Sequence, residues 1–386
     1  MPILPIDAVR DELRRACRDH NRVIVTAPTG SGKSTRIPGF LADDVVAAGQ
    51  IVCLQPRRLP ARMLSTRVAR ERGVVLGEEV GYRMRFDHRV GSRTRIVYET
   101  DGILLQDLCR DGRLEGVAAL VFDEFHERHL FGDVLLGAAL ALQRGPRPDL
   151  LIVVMSATLD AVALEEFLRP CSLVAAHGRC FPVELQYQPA MRRARVEPVW
   201  DAAAAACAQM ARTGTPGHTL IFMPGGYEIR RTVRALTEAR AVAPNRIFPL
   251  YGDLTPAAQD AAVADDGSPR VIVATNIAET SITIPGVIRV IDSGLVRRPG
   301  YDPHCGINTL LLEKISRASA DQRAGRAGRT APGLCRRLWS EAEHAARPAR
   351  DIPEVERLDL SEVVLRLRAF VWVDVAAFPW FSPPST

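Results

Sequence analysis

The sequence predicts an α/β protein of two tandem domains, each built on a parallel sheet covered by helices. Three observations carry this reading: short apolar, β-branched runs alternating with helical patterns, a break in that alternation between residues 178 and 190, and a length of 386 residues, long for one core. A run that is apolar throughout and too brief for a helix suits a strand buried on both faces. In the first half these runs are "RVIVTAP" from Arg22, "QIVCLQP" from Gln50, "TRIVYET" from Thr94, "ALVFDE" from Ala119 and "LLIVVMSAT" from Leu150. The second series is "TLIFMPG" from Thr219, "RIFPLYG" from Arg246, "RVIVATN" from Arg270, "VIRVIDSG" from Val287 and "GLCRRLWS" from Gly333.

Between the series, "HGRCFPVELQYQP" (177–189) lacks helical period and carries prolines, which marks a linker. The expected domains are therefore residues 1–178 and 190–345. A C-terminal region, 346–386, has apolar residues at helical spacing around Leu358, Leu360, Val363, Val364 and Leu367. Met1 to Arg22 reads as an amphipathic helix, and the alanine-rich stretch 202–208 simply as helix.

Hydrophobic residues at 47% beside 25% charged residues describe an ordinary globular chain. No run of ~18 apolar residues and no secretory leader is visible, so a cytoplasmic location is expected. The eight cysteines are scattered without a C-x-x-C pair, which argues against a zinc or redox site. A net charge of +5 permits a polyanionic partner without requiring one. Lys33 and Lys314 are the only lysines among fifty basic residues, so a lysine kept at position 33 calls for a chemical reason.

That reason lies in "APTGSGKST", Ala27 to Thr35, directly after the first apolar run. A phosphate-binding loop needs glycines to curl its N–H groups around phosphate oxygens, a lysine for the β/γ-phosphates and a hydroxyl for magnesium. Gly30, Gly32, Lys33 and Ser34 supply these, and a helix from Lys33 to about Leu41 adds its positive N-terminus. The strict pattern opens with glycine, where this chain has Ala27. About ninety residues on, "LVFDEFHERH" places Asp123 and Glu124 at a strand end, fitting a magnesium-holding acid and a water-activating base. His126 and His129 are three apart, one short of the H-E-x-x-H zinc pattern. In "QRAGRAGR" (322–329), Arg323, Arg326 and Arg329 recur every third residue on or beside a helix start, suited to charge on a transferring phosphoryl group.

In order the chain shows "APTGSGKST", "LQPRRLPA", "YETDGILL", "DEFHER", "MSAT", "LIFMPGGYEI", "VATNIAETSITIPGV" and "QRAGRAGR". This series resembles that of the DEAH-box ATP-dependent RNA helicases, over residues 5 to 345 continuously and weakly onward. The phenylalanine of "DEFHER", with "PLYGDL" and "DSGLVR", brings it nearest a bacterial HrpB-like branch. The resemblance implies two RecA-like P-loop NTPase domains acting on ATP with Mg2+. It implies that Thr29, Gly30, Ser31, Gly32, Lys33, Ser34 and Thr35 hold the phosphates, with Mg2+ on Ser34 and Asp123 and with Glu124 as base. Gln322, Arg326 and Arg329 would complete the site from the second domain, and His126 would bridge to it. Ser156 and Thr158 would couple hydrolysis to strand binding. Arg57, Arg58, Thr100, Asp101, Gly225, Thr275 and Asn276 would line a nucleic-acid backbone. The implied partner is single-stranded RNA, with DNA left open.

Two departures stand out. Family members hold adenine between an arginine, here Arg67, and an aromatic, where this chain offers Val263, so weak discrimination among nucleotides is expected. Family members also continue through winged-helix, ratchet-like and OB-type domains, so the chain is expected to be a fragment, or a minimal core, ending where a winged helix begins. The resemblance offers residues 295–317 as the hairpin that separates strands in relatives, with a structural β-excursion as the alternative. A remodelling ATPase that does not unwind, and a non-hydrolysing RNA-binding remnant, remain as alternatives; Glu124, Gln322, Arg326 and Arg329 argue against the remnant.

Overall fold

The computed structural model describes residues 4–157, 161–178, 181–189, 197–212, 216–240, 242–264, 266–280, 282, 284–302, 304–369 and 375–384. The chain divides into two compact units, Met1–Arg179 with Ile352–Thr386, and Cys180–Asp351.

The first unit contains, in chain order, α1 (Arg10–Asp19), β1 (Arg22–Thr26), α2 (Lys33–Asp44), β2 (Gln50–Gln55), α3 (Arg58–Arg72), β3 (Val80–Met84), β4 (Asp87–Arg89) and β5 (Ile96–Thr100). It continues with α4 (Asp101–Asp111), β6 (Val117–Phe122), α5 (Leu130–Arg144), β7 (Leu151–Ser156), α6 (Ala161–Leu168) and β8 (Ser172–Ala175). Its sheet runs β4-β3-β5-β2-β6-β7-β1-β8, parallel except for the β3–β4 edge pair. The parallel strands read as continuous apolar runs because both faces are covered. Val23 and Val25 face a layer with Ile37, Leu41 and Val68, while Ile24 faces one with Leu120, Leu135 and Val154. Register aligns Thr26 with Ser156 and Gln55 with Thr100. The strand ends that carry the expected site therefore share one edge, where ligands of such sheets bind.

The second unit holds β9 (Val183–Tyr187), α7 (Val199–Ala211), β10 (His218–Phe222), α8 (Gly226–Glu238), β11 (Ile247–Leu250), α9 (Pro256–Val263), β12 (Val271–Ala274) and β13 (Val287–Asp292). β14 (Leu295–Asp302) and β15 (Ile307–Lys314) form an antiparallel hairpin, followed by α10 (Arg317–Ala324), β16 (Gly333–Arg337) and α11 (Glu341–Ala345). The main sheet, β11-β12-β10-β13-β16-β9, is parallel throughout.

Strand β9 lies within the stretch read as a linker; it pairs with β16 as a half-exposed edge, which is why it shows no apolar run. The C-terminal stretch also has a definite place. From Ile352 it belongs to the first unit, where Val355, Val363, Leu367 and Phe378 join the core layer of Leu104 and Leu135. Val363 and Leu367 lie on α12 (Ser361–Ala369). Each such side chain contributes about 1.5–3 kcal/mol by leaving water. Gly137 on α5 makes room: a Cβ there would sit 2.5 Å from the Pro379 carbonyl and 2.6 Å from the Phe378 ring.

Candidate functional site

The loop after β1 is shaped by its glycines. Gly30 and Gly32 take φ of 84° and 93°, left-handed values that side chains rarely adopt, and a Cβ on Gly32 would also strike Leu4 at 2.6 Å. α2 begins directly at Lys33, so its N-terminus faces the loop. It runs to Asp44, three residues past the expected end. Ser31 Oγ is buried with no hydrogen-bond partner among the described residues, while Thr35 Oγ1 donates to the Gly32 carbonyl at 3.1 Å and Tyr98 OH to that of Ser34 at 2.7 Å. A ring of amide donors with one spare buried hydroxyl fits an anion such as a phosphate.

β7 separates β1 from β6 in the sheet, and across it the loop meets the acids. Lys33 Nζ lies 3.3 Å from Glu124 Oε2, both side chains buried. Asp123 accepts from Gln55 Nε2 at 2.6 Å and from the Glu124 amide at 2.9 Å. Burial, and next the charge of Glu124, push the Asp123 carboxyl upward, against Lys33, Ser34 and Gln55. A buried carboxyl short of positive charge beside the Ser34 hydroxyl offers hard oxygen donors that fit Mg2+, which ordinarily takes one or two carboxylates and completes its shell with phosphate and water. Among the described residues no group of three or more His, Cys, Asp or Glu could hold a metal alone.

Glu124 and Arg128 flank the turn Phe125–Glu127 with φ of 50° and 51°, left-handed for non-glycine residues. His126 Nδ1 accepts from the Ala157 amide at 3.3 Å, and its Nε2 lies 3.5 Å from Glu124 Oε2. Burial lowers the His126 pKa, so the ring is neutral with its proton on Nε2, facing Glu124. It thus joins the acid to the "MSAT" strand end, where Ser156 is buried. Thr158 lies outside the described residues.

The other expected residues of the first unit sit beside this turn. Arg57 caps α3 and binds Glu127 at 2.6 Å, Arg58 is exposed and reaches the Arg85 carbonyl at 3.2 Å, and Thr100 caps α4. Asp101 is buried rather than presented at the surface, and burial pushes its carboxyl up to about 6. Arg67 is half exposed on α3 and pairs with Glu71 at 2.9 Å.

In the second unit the arginine run leaves the end of α10 rather than a helix start. Gln322 and Arg323 are on α10, with Arg326 and Arg329 in the following turns. Arg323 is fully buried and bound to Glu279 at 2.8 Å and Asp292 at 2.9 Å. Arg326 is also buried; it donates to the Ile282 carbonyl at 2.6 Å and to the carbonyls of Glu279 and Thr280. Gln322 and Arg329 are half-buried. Gly328 is needed for packing, since a Cβ there would meet the Phe181 carbonyl at 2.5 Å. Gly225 caps α8 against Arg297 and Glu228, and the Thr275 hydroxyl caps the short turn begun by Asn276.

Residues 9–167 match the DEAD/DEAH box helicase family, and residues 202–331 the helicase conserved C-terminal domain. The chain belongs to the DEAD/DEAH-box helicases. It is 39% identical to the ATP-dependent RNA helicase HrpB of Escherichia coli K12 over 386 residues, all of this chain and 47% of that protein. It is 38% identical to the probable ATP-dependent RNA helicase DHR2 of Saccharomyces cerevisiae, over 99% of this chain and 53% of that protein. The crystal structure of Escherichia coli DEAH/RHA helicase HrpB matches with a TM-score of 0.92 at 38% identity, covering 99% of this chain and 48% of that one. The chain thus spans about half the length of these relatives.

In this DEAD/DEAH-box chain, several residues that hold the site were not singled out from sequence. Gln55 fixes Asp123, Glu127 fixes Arg57, and Glu279 with Asp292 fixes Arg323. Gln55 and Asp292 each end a strand inside a quoted motif, "LQPRRLPA" and "DSGLVR", a signal available in sequence; Glu127 sits inside "DEFHER" itself.

Proposed function

We propose that this chain is a nucleic-acid-stimulated NTP hydrolase of the DEAH RNA-helicase type. The observation that carries the reading is the buried Lys33–Glu124 pair beside Asp123, at the mouth of a glycine loop with a spare buried hydroxyl. A protein that only bound RNA would have no use for a charged pair held out of water, where its desolvation is costly.

The loop amides from Thr29 to Ser34, with Lys33, would bind the phosphates of ATP, and Ser34 with Asp123 would hold Mg2+. Mg2+, when bound, neutralises phosphate charge. Once phosphate draws Lys33 away, Glu124 is free to take the proton of an attacking water. Gln322 would orient that water, and Arg326 and Arg329 would stabilise charge on the phosphoryl group, which requires Arg326 to give up at least one carbonyl it now serves. His126 and Ser156, with Thr158, would transmit the state of the acid to the strand-binding residues. Arg57, Arg58, Thr100, Gly225, Thr275 and Asn276 would contact the backbone of single-stranded RNA, a grip that weakens with salt. Asp101 would act from beneath, as a support for the Thr100 turn. Arg67 alone would stack on the base, so the four nucleotides should be used comparably.

The test is steady-state hydrolysis of ATP, GTP, CTP and UTP with and without poly(U), with Glu124→Gln as control. Stimulation by RNA that the variant abolishes supports the reading. A native chain that hydrolyses nothing with RNA present overturns it.

A further inference from the structure

The turn that carries Glu124 is left-handed at both ends, and its far end is held by Asp133, which pairs with Arg128 at 2.8 Å, and by the segment that begins at Ile352. Within that segment Glu354 makes most of the polar contacts. Its Oε2 accepts from the Leu130 amide at 2.9 Å, its Oε1 lies 3.3 Å from His129 Nδ1, and its own amide donates to the Arg128 carbonyl at 3.1 Å. His129 in turn holds Glu127 at 2.7 Å, and Glu127 holds Arg57 at 2.6 Å. Phe381 completes the brace: its ring lies 5.8 Å from Phe125 and 4.2 Å from the Arg128 guanidinium, which also donates to Ser382 Oγ at 2.9 Å.

We propose that Glu354 is a positioning residue for hydrolysis, acting through His129 and the 125–127 turn to fix both Glu124 and Arg57. This rests on the hydrolase reading above. Two geometric facts give it direction. The brace is seated by dedicated packing, since Gly137 leaves room that any side chain would fill. It also ends on the two residues, Arg128 and His129, that directly follow the acid-bearing turn. His129 stays charged here although burial opposes it, because Glu127 and Glu354 flank it and outweigh that burial. A charged link of this kind is directional and stiff, and it ties the acid to a residue expected to touch the nucleic acid.

The experiment compares the native chain with Glu354→Ala and Glu354→Gln, each checked for folding by circular dichroism. Two readouts are taken: amide hydrogen exchange over residues 120–131, and kcat and KM for ATP with and without poly(U). The expected result is faster exchange in that segment alone and a kcat about tenfold lower, with KM changed by less than about twofold, because positioning is lost and ground-state binding is not. The alanine variant should be the more affected, since glutamine still offers an oxygen to the Leu130 amide. Unchanged exchange over 120–131, or an unchanged kcat in both variants, overturns the proposal. Faster exchange in a protein whose native form hydrolyses nothing would sink the hydrolase reading while upholding the brace.

Discussion

Lys33 Nζ sits 3.3 Å from Glu124 Oε2, and both side chains are buried. Here the lysine and the acid serve each other. Removing one partner strands the other charge, which typically costs about 3–5 kcal/mol, whereas removing both charges costs much less. Lys33→Ala should therefore abolish hydrolysis and destabilise the first unit, while the double variant Lys33→Ala/Glu124→Gln recovers part of that stability without recovering turnover. Glu124→Gln alone should lower kcat by roughly 10²–10⁴, as loss of a general base does, with nucleotide binding kept. Urea melts of the three variants decide it: a double variant no more stable than Lys33→Ala would mean that the pair carries no coupling.

Arg323, Arg326 and Arg329 look alike in sequence and are not alike in structure. Arg323 is enclosed by Glu279 and Asp292, so Arg323→Ala leaves two carboxylates without their cation and should destabilise the second unit by about 3–5 kcal/mol. Half-buried Arg329 should behave in the opposite way: Arg329→Ala melts near the native temperature and loses hydrolysis by roughly 10³–10⁵. Arg326→Ala should lose both, since its guanidinium ties down the carbonyls of Glu279 and Ile282. Paired melting curves and turnover numbers separate the three. Equal melting temperatures for Arg323→Ala and Arg329→Ala would refute the division of labour.

This contrast also marks what sequence can convey. Most of the ten runs were legible as strands because a strand buried on both faces is apolar at nearly every position; β16, with Arg336 and Arg337, was legible only from its place in the alternation. β9 and β3 were not, since β9 lies half-exposed at an edge and β3 carries Gly81 and Arg83. The glycine turn before α2 and the placement of Asp123 and Glu124 at a strand end were legible because residue type and spacing within a few positions fix such local geometry. The supports were not: Glu354 lies 225 residues from His129 and Glu279 lies 44 from Arg323, and no local pattern announces a long-range ion pair.

Val263 closes α9 and is half-buried, at the position where the resemblance places an aromatic partner for the base. Stacking a base on an aromatic ring contributes about 1–3 kcal/mol. Val263→Phe should thus lower KM for ATP by about five- to tenfold and favour purines, with kcat little changed. A uniform KM across the four nucleotides in this variant would place the base elsewhere.

Glu99, on β5 directly before Thr100, is wholly buried, and neither carboxyl oxygen has a hydrogen-bond partner among the described residues, although Arg83 Nη1 lies 3.3 Å away. Burial pushes its pKa from 4.5 up to about 8, with Arg83 opposing and Asp107 and Asp101 adding to the rise. Between those values the folded chain keeps a proton that the unfolded chain has released, so stability falls as pH rises through that window. The cost is absent below pH 4.5 and complete above about 8. Glu99→Gln is neutral throughout, and Arg83 keeps Asp107 at 2.5 Å. At pH 9 the variant should exceed the native first unit by roughly 2–4 kcal/mol, seen as a melting temperature about 5–10 °C higher, and the two should converge near pH 4.5. Melting profiles that stay parallel from pH 5 to 9 would mean that Glu99 is ionised in the folded chain, held by Arg83, and that β5 carries a charge directly beneath the strand end at Thr100.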